Sequence, residues 1–209
     1  TVLDLKRSSP RVLRKKFSVT MERTVRELNG ESCIPLEEVT RPKKQLICSR
    51  GFGIPVFSLD ELSEAITTYT TRVAEKLRYQ KSVATMVYVF IQTNPFKNKD
   101  QQYNSGRLIS LMKPTNDTRE LISAALRGLK SIYKPGLAYK KAGVLLDNLL
   151  SSNQYQKCLF DDIASQKNSE SLMQAIDRIN SKMGSGTIKF TREGLQKRWS
   201  AKSEKKTQC

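Results

Sequence analysis

The chain contains no histidine in its 209 residues. That absence excludes nucleophilic catalysis by Ser-His or Cys-His pairs. The four cysteines, Cys33, Cys48, Cys158 and Cys209, are far apart and form no C-x-x-C. Neither a structural zinc site nor a disulfide framework is therefore expected. Sparse unpaired cysteines suit a reducing cytoplasm. The carboxylate pairs Glu37-Glu38 and Asp161-Asp162 fall in loop-like segments. Neighbours on a loop rarely converge on one ion, so both pairs read as solvated charge, and two-metal phosphoryl transfer lacks its ligands. No run of 18 apolar residues occurs, so no membrane span is expected. The opening residues lack the pattern of a secretory signal peptide. Thr1 is not an initiator Met, so a fragment or a processed chain is expected.

What is abundant is positive charge. Lys and Arg number 37 against 20 Asp and Glu, a formal net charge of +17. Such an imbalance attracts and steers polyanions, with nucleic acid as the default partner. An anionic membrane surface would call for a long basic amphipathic helix with bulky apolar residues opposite, and none is visible. A composition of 38% hydrophobic and 27% charged residues supports one sizeable core plus extensions.

Residues 1–29 read as basic helix. Ser9 is an N-cap candidate with Pro10 at the first helical position. Leu13, Phe17, Met21, Val25 and Leu28 recur at helical spacing as one apolar stripe, and Asn29-Gly30 ends it. A stripe of this kind needs a partner surface. Residues 31–43 carry Pro35, Pro42 and three Glu without a clear period, and read as a linker. From Lys44 a compact pattern begins. Gln45 to Arg50 is a short strand candidate, with Ser49-Arg50-Gly51-Phe52-Gly53 as a turn-prone exit and Phe52 read as core. Ser58 with Glu61 forms a capping box before the stripe Leu59, Leu62, Ile66, Tyr69, Val73 and Leu77. Ala84 to Thr93 is a β-branched and aromatic run, expected as a central strand apolar on both faces, with Tyr88 and Phe90 in the core. Arg107 to Lys113 is the next strand. Asp117 and Glu120 open a second helix carrying Leu121, Ala125, Leu129 and Ile132, and Tyr139 to Leu150 is the last strand.

The expected class is α+β, a β-α-β-β-α-β two-layer sandwich with both helices on one face. With Arg50, Arg107, Lys140 and Lys141 on strands or near their ends, the opposite face is expected to be polar and basic. Beyond Leu150 the chain loosens. Gln166-Lys167-Asn168-Ser169 is linker-like, Ser171 to Met183 a modest amphipathic helix, and Thr187 to Phe190 a possible short strand. From Ser181 onward eight Lys and Arg face two Glu, with Trp199 in that basic end.

Several segments in succession carry a resemblance. They are Leu13-Arg14-Lys15-Lys16-Phe17-Ser18-Val19, Met21 to Gly30, and Ile47-Cys48-Ser49-Arg50-Gly51-Phe52-Gly53. Further along come Ala74 to Arg78, Tyr139 to Val144, Leu159-Phe160-Asp161-Asp162, Gly184-Ser185-Gly186-Thr187, and Gly194 to Trp199. In this order they resemble the UmuC-like Y-family DNA polymerases, the catalytic subunits of the polymerase V type. The likeness covers nearly the whole chain and departs after Trp199. It implies a division into five parts: residues 1–30 as the basic helical end of the thumb, 31–43 as a linker, 44–150 as a little-finger DNA-binding domain, 151–169 as a linker with a clamp-binding peptide, and 170–209 as a loosely structured C-terminal extension. The family's metal-binding carboxylates lie in the palm, which has no counterpart here. This chain alone is thus expected not to polymerise, to hold no cofactor, and to leave Mg2+ to the missing palm.

The resemblance implies grip and tethering. A little finger holds phosphates along duplex DNA, primer-template or damaged, with little base reading. Ser49, Arg50 and Gly51 suit this: Gly51 bares the backbone, the Ser49 hydroxyl can donate, and Arg50 can pair a phosphate bidentately. Lys44, Arg107, Lys140 and Lys141 complete the expected DNA contacts. Adjacent strand residues face opposite ways, so only one of Lys140 and Lys141 should point at DNA. Gln156-Lys157-Cys158-Leu159-Phe160 resembles the peptide by which bacterial polymerases hold the sliding clamp. Leu159 and Phe160 would fill one apolar pocket while the Gln156 amide fixes register. Processed UmuD-like dimer and RecA are further partners the resemblance implies, in SOS mutagenesis at the bacterial nucleoid in the cytoplasm. A free-standing basic α/β module that binds RNA through sheet aromatics such as Tyr88 and Phe90 is the alternative. A complete enzyme in this chain alone is opposed by the missing histidine and the absence of clustered carboxylates.

Overall fold

A computed structural model describes residues 1–36, 42–97, 101–152 and 163–201, without the side chains of 163–166. The chain divides into two compact units, Thr1–Pro42 and Lys43–Cys209.

The first unit holds three short helices, α1 (Val2–Arg7), α2 (Pro10–Lys16) and α3 (Val19–Leu28). Pro10 does sit at the start of α2, preceded by Ser9. The expected continuous stripe is broken at Phe17-Ser18. Phe17 leaves helical geometry and is exposed, and the Ser18 hydroxyl accepts the Met21 N–H to start α3 afresh. A capping serine thus overrode the i, i+4 spacing. Glu22 is held between Arg14 (3.1 Å) and Arg26 (2.8 Å), and Gly30 at φ 89° ends the segment.

The second unit carries β1 (Leu46–Val56), α4 (Leu59–Tyr79), β2 (Ser82–Thr93), β3 (Asn104–Thr115), α5 (Thr118–Ile132), β4 (Tyr139–Ser151) and α6 (Ile163–Met183), then a 3-10 turn at Thr191–Glu193. The order β-α-β-β-α-β matches the expected class. The sheet is antiparallel throughout, in the order β1-β4-β2-β3. Ser58 and Asp117 cap α4 and α5 as the sequence proposed, accepting from the Glu61 and Arg119 N–H groups.

The core lies between the sheet and the two helices. Leu62, Ile66, Tyr69, Val73 and Leu77 of α4 and Leu121, Ala125 and Leu129 of α5 meet Val87, Val89, Ile91, Ala142, Val144 and Leu146. Helix α4 is buried well beyond that stripe. Thr67, Thr70 and Thr71 are buried because each hydroxyl donates to the carbonyl four residues back, at 2.7, 2.7 and 3.0 Å.

Three elements of this unit differ from expectation. Helix α6 begins at Ile163, so residues 166–169, expected as linker, are helical. Strand β1 does not exit at Ser49–Gly53 but continues to Val56, with an irregular register between Gly51 and Val56. It is an edge strand, where glycine, an unpaired Pro55 and a bulge are all tolerated. Thr187 to Phe190 form no strand. The Ile188 backbone is instead held by the Asn180 side chain, at 2.8 and 3.2 Å. Among the described residues beyond α6, the 3-10 turn is the regular structure. Trp199, which the sequence places in a basic tail, is 4% exposed and belongs to the core.

Candidate nucleic-acid interface: the open face of the sheet

Strand pairing fixes which side chains share the face away from α4 and α5. Four rows cross the sheet. Ile47, Leu145, Tyr88 and Leu108 form the first; Ser49, Gly143, Phe90 and Gly106 the second; Gly51, Lys141, Gln92 and Asn104 the third. Asp147, Met86 and Ser110 make a shorter fourth.

Tyr88 and Phe90 therefore lie on the open face, half-buried, and not in the core as expected. The alternation of β2 is regular here: Val87, Val89 and Ile91 are fully buried while the aromatics between them face outward. Their rings lie down along the sheet. A methyl placed on Gly106 would sit 2.4 Å from Tyr88 Cζ, and one on Gly143 would sit 2.4 Å from Phe90 Cζ. Each ring thus occupies the space a glycine leaves empty. The two rings stack with centroids 6.0 Å apart and planes 28° apart. The result is a low, flat surface, with Ile47 and Leu108 51% and 47% exposed in its first row.

This face is not basic, contrary to expectation. Its rows contain one cation, Lys141, and one carboxylate, Asp147. Arg50 pairs with Ala142 and follows Leu46 and Cys48 in parity, so it leaves β1 on the helix side. Arg107 pairs with Val89 and does the same from β3. Lys140, half-buried, is engaged by β1, where its ammonium donates to the Phe52 carbonyl and, at 3.3 Å, to the Gly53 carbonyl. Ser49 and Gly51 do lie on the open face, and Lys44 is exposed before β1. The structure thus brings together Ser49, Gly51 and Lys141, and sets Arg50 and Arg107 on two opposite edges of the sheet. Gln156, Leu159 and Phe160 lie outside the described residues.

Sequence reasoning missed the aromatic pair and its glycine seats. The signal was there in principle: a glycine in each strand flanking an alternating aromatic strand marks a place for a ring. Behind the sheet, Tyr69 is close to both Arg50 and Arg72. Burial pushes its phenol far above the ordinary range, the neighbouring Cys48 adds to this, and the two arginines oppose it. Among the described residues, no three of Cys, Asp and Glu gather as a metal-binding group. No helix among them is long and apolar enough to cross a membrane.

Comparison with known proteins places this geometry. Residues 43–159 match the impB/mucB/samB family C-terminal domain, and residues 170–209 match a domain of unknown function (DUF4113). The chain is 40% identical over 204 residues to Protein UmuC of Salmonella typhimurium, covering 98% of this chain and 48% of that protein. It is 42% identical over 209 residues to Protein ImpB of the same species, covering 100% and 49%. DNA polymerase IV of Desulfatibacillum aliphaticivorans is 28% identical over 138 residues, 66% of this chain and 33% of that protein. The chain spans about half the length of UmuC and ImpB. The family match takes in every strand of the sheet together with α4 and α5, and so covers the open face in full. The chain belongs to the impB/mucB/samB family, whose C-terminal domain it carries.

Proposed function

We propose that this chain is the DNA-gripping and clamp-binding C-terminal portion of a UmuC-like error-prone translesion polymerase, acting in SOS mutagenesis in the bacterial cytoplasm. The observation that carries the reading is the open sheet face. It is flat because two aromatic rings lie in glycine seats, and it has bare backbone at Gly51 beside the Ser49 hydroxyl and the Lys141 ammonium. A surface of this shape lies against a sugar-phosphate rail without reaching for base edges. The net charge of +17 supplies the long-range attraction. Relatives named UmuC and DNA polymerase IV support the polymerase assignment. Grip on phosphates suits the copying of damaged templates, because phosphate spacing survives many base lesions.

In this reading Ser49, Gly51 and Lys141 touch the duplex, and Lys44, Arg50 and Arg107 hold phosphates at the rims. Gln156, Leu159 and Phe160 tether the chain to the sliding clamp and raise its local concentration at the primer end. A UmuD-like dimer and RecA are the further partners. Residues 1–30 act as the end of a thumb and 31–43 as a linker, 44–150 as the little finger, 151–169 as the clamp-bearing linker and 170–209 as the extension.

The grip is tested by titrating fluorescent duplex DNA at several salt concentrations. Each phosphate contact contributes about 0.9 to the log-log salt slope. Arg50→Ala should weaken binding equally across unrelated sequences, and a sequence-dependent loss would indicate base readout. For the tether, purified clamp should retain the wild-type chain and lose the Leu159→Ala, Phe160→Ala double variant; equal retention discards the peptide. Tyr88 and Phe90 on the open face favour one competing reading, a stacking surface for single-stranded RNA. Tighter binding to unstructured RNA than to duplex DNA, abolished by Tyr88→Ala, would select it.

A further inference from the structure

The C-terminal stretch 169–201 matches a family of unknown function over most of its length, and it bonds to α4, α5 and β1 of the sheet domain. It is anchored at three places. At its start, the Ser169 hydroxyl donates to Asp117, the residue that caps α5. In α6, Met173 is buried and Asp177 takes a two-pronged bond from Arg78, at 2.6 and 2.7 Å. Arg78 is itself tied to the Asn116 carbonyl and the Thr118 hydroxyl, each at 2.8 Å. After α6, the buried Glu193 accepts from Thr71 of α4 at 3.2 Å and from Lys197 at 3.3 Å.

The end of the stretch is the telling part. The Trp199 ring stands edge-on between Phe52 of β1 and Tyr69 of α4, with centroids 5.9 and 5.8 Å away. The Trp199 carbonyl accepts the Gly53 N–H at 3.0 Å. A methyl on Gly53 would lie 3.0 Å from both Ala201 Cα and the Ser200 carbonyl oxygen, so the backbone of the stretch lies flat on β1. This happens within Gly51–Val56, where the β1–β4 register is irregular. Lys140 holds the Phe52 and Gly53 carbonyls from the other strand. The same two residues are therefore gripped from both sides, immediately after Ser49, Arg50 and Gly51.

We infer that residues 169–201 form an intramolecular strap whose work is to lock the irregular half of β1, with Trp199 as the positioning residue. Edge strands fray unless something pairs or covers them. The strap supplies both: a backbone acceptor for Gly53 and an apolar plug over Phe52 and Tyr69. Without it, Ser49 to Gly51 would lose the rigid backbone that a phosphate contact requires. That last consequence rests on the DNA reading above; the locking of β1 does not. The plug carries a defect. Trp199 Nε1 and the Tyr69 hydroxyl are both buried and find no hydrogen-bond partner among the described residues. Burying unpaired donors weakens the plug, so the ring, and not its N–H, holds the strap down.

The test uses the full chain. Trp199→Ala should raise amide exchange at Gly53 about tenfold or more and lower the melting temperature by about 10 °C. Duplex affinity should fall about tenfold with a shallower salt slope. Trp199→Phe removes the unpaired donor and keeps a ring, and should restore exchange protection and DNA affinity together. Should the alanine variant fail to fold, Gly53→Ala serves. It crowds the strap backbone without touching the plug, and should raise exchange over residues 51–56 and weaken DNA binding several-fold. Unchanged exchange over these residues in folded Trp199→Ala, or in Gly53→Ala where that variant must serve, overturns the strap and leaves the DNA reading standing. Raised exchange with unchanged duplex affinity overturns the positioning role. If the wild-type chain binds no duplex, the DNA reading fails, and the exchange measurement alone decides the strap.

Discussion

Replacing Gly143 with alanine should cost more stability than replacing Gly106, although the Gly106 clash is the shorter one. A methyl on Gly106 would meet the Tyr88 hydroxyl oxygen at 2.0 Å. That atom is the far end of a flexible side chain facing an edge strand. The ring can swing toward solvent about χ1, and the loss of a strand glycine's entropy penalty partly offsets the cost. A net loss under about 1 kcal/mol follows. A methyl on Gly143 would meet Phe90 Cζ at 2.4 Å on one side and Ser49 Cβ at 2.5 Å on the other. The ring can leave; Ser49 Cβ cannot, because it is fixed to the β1 backbone. Contact carbons need about 3.5–4.0 Å, so β1 and β4 must part by about 1 Å at this row. Overpacking of this kind costs roughly 1–3 kcal/mol, and the immovable neighbour places Gly143→Ala at the upper end. At about 2–4 °C per kcal/mol for a unit of this size, thermal unfolding should fall by about 6–12 °C for Gly143→Ala and by only about 3 °C for Gly106→Ala. Urea midpoints should give the same order. Equal losses, or a larger loss at Gly106, would refute the claim that the rings lie in glycine seats against a fixed β1.

Arg78→Met should destabilise the chain by about 3 kcal/mol, since it strands Asp177 and two further acceptors; Arg78→Lys should recover only part, because an ammonium cannot reproduce the fork. Urea denaturation reads both, and a neutral Arg78→Met would remove the inter-helix tie. Lys140→Ala and Lys141→Ala should separate: the first loses thermal stability through the Phe52 and Gly53 carbonyls, the second loses duplex affinity and about one unit of salt slope at unchanged melting temperature. The reverse pattern would invert the assignment of the open face. Asp117 is a buried carboxylate whose desolvation is outweighed by bonds from Arg119 and Ser169, which hold its pKa below the ordinary carboxylate range. Its charge therefore stabilises the fold above the ordinary range near pH 4, and that contribution is lost as pH falls through the lowered native value. Asn caps helices as well as Asp, so Asp117→Asn should cost stability at pH 7 and nothing once the native Asp is protonated, as urea midpoints from pH 2 to 7 will show.

The parts legible in the sequence were those set by local chemistry. Ser58 with Glu61 and Asp117 with Glu120 announced α4 and α5, and hydrophobic stripes gave their buried sides. What escaped depended on contacts remote in sequence. The run Ser49-Arg50-Gly51-Phe52-Gly53 reads as a turn by composition, yet Ser49 to Gly51 pair with β4 and the Phe52 and Gly53 backbone is held by Lys140 and Trp199. Phe17 kept the spacing of a single helix, yet the capping hydroxyl of Ser18 ended one helix and began another. Tyr88 and Phe90 look like core in an unbroken apolar run, since the glycines that seat them lie on neighbouring strands. The arginines were misplaced for a simpler reason. Once Cys48 and Val89 are core, parity sends Arg50 and Arg107 to the helix side, but that requires knowing which face is filled.

This redistribution of charge changes how the proposed grip on DNA would work. A basic sheet face would hold DNA by Coulomb attraction alone, and affinity would track the number of cations beneath it. Here the face proposed to meet a duplex is nearly neutral, and Arg50 and Arg107 stand on the two edge strands, β1 and β3, outside it. In the proposed grip, charge at the rims attracts the duplex and centres it over the sheet; a flat floor with one cation, Lys141, and one carboxylate, Asp147, then leaves few phosphate contacts to break as the chain slides. If the chain is the polymerase portion proposed above, it must advance with its primer end and has use for such an arrangement. Adding a cation to the floor, as in Gln92→Lys beside Lys141, should tighten duplex binding and steepen the salt slope by about one unit while slowing one-dimensional diffusion of the labelled chain on stretched DNA. If Gln92→Lys tightened binding without slowing diffusion, the neutral floor would have no part in mobility, and the rims alone would govern the grip.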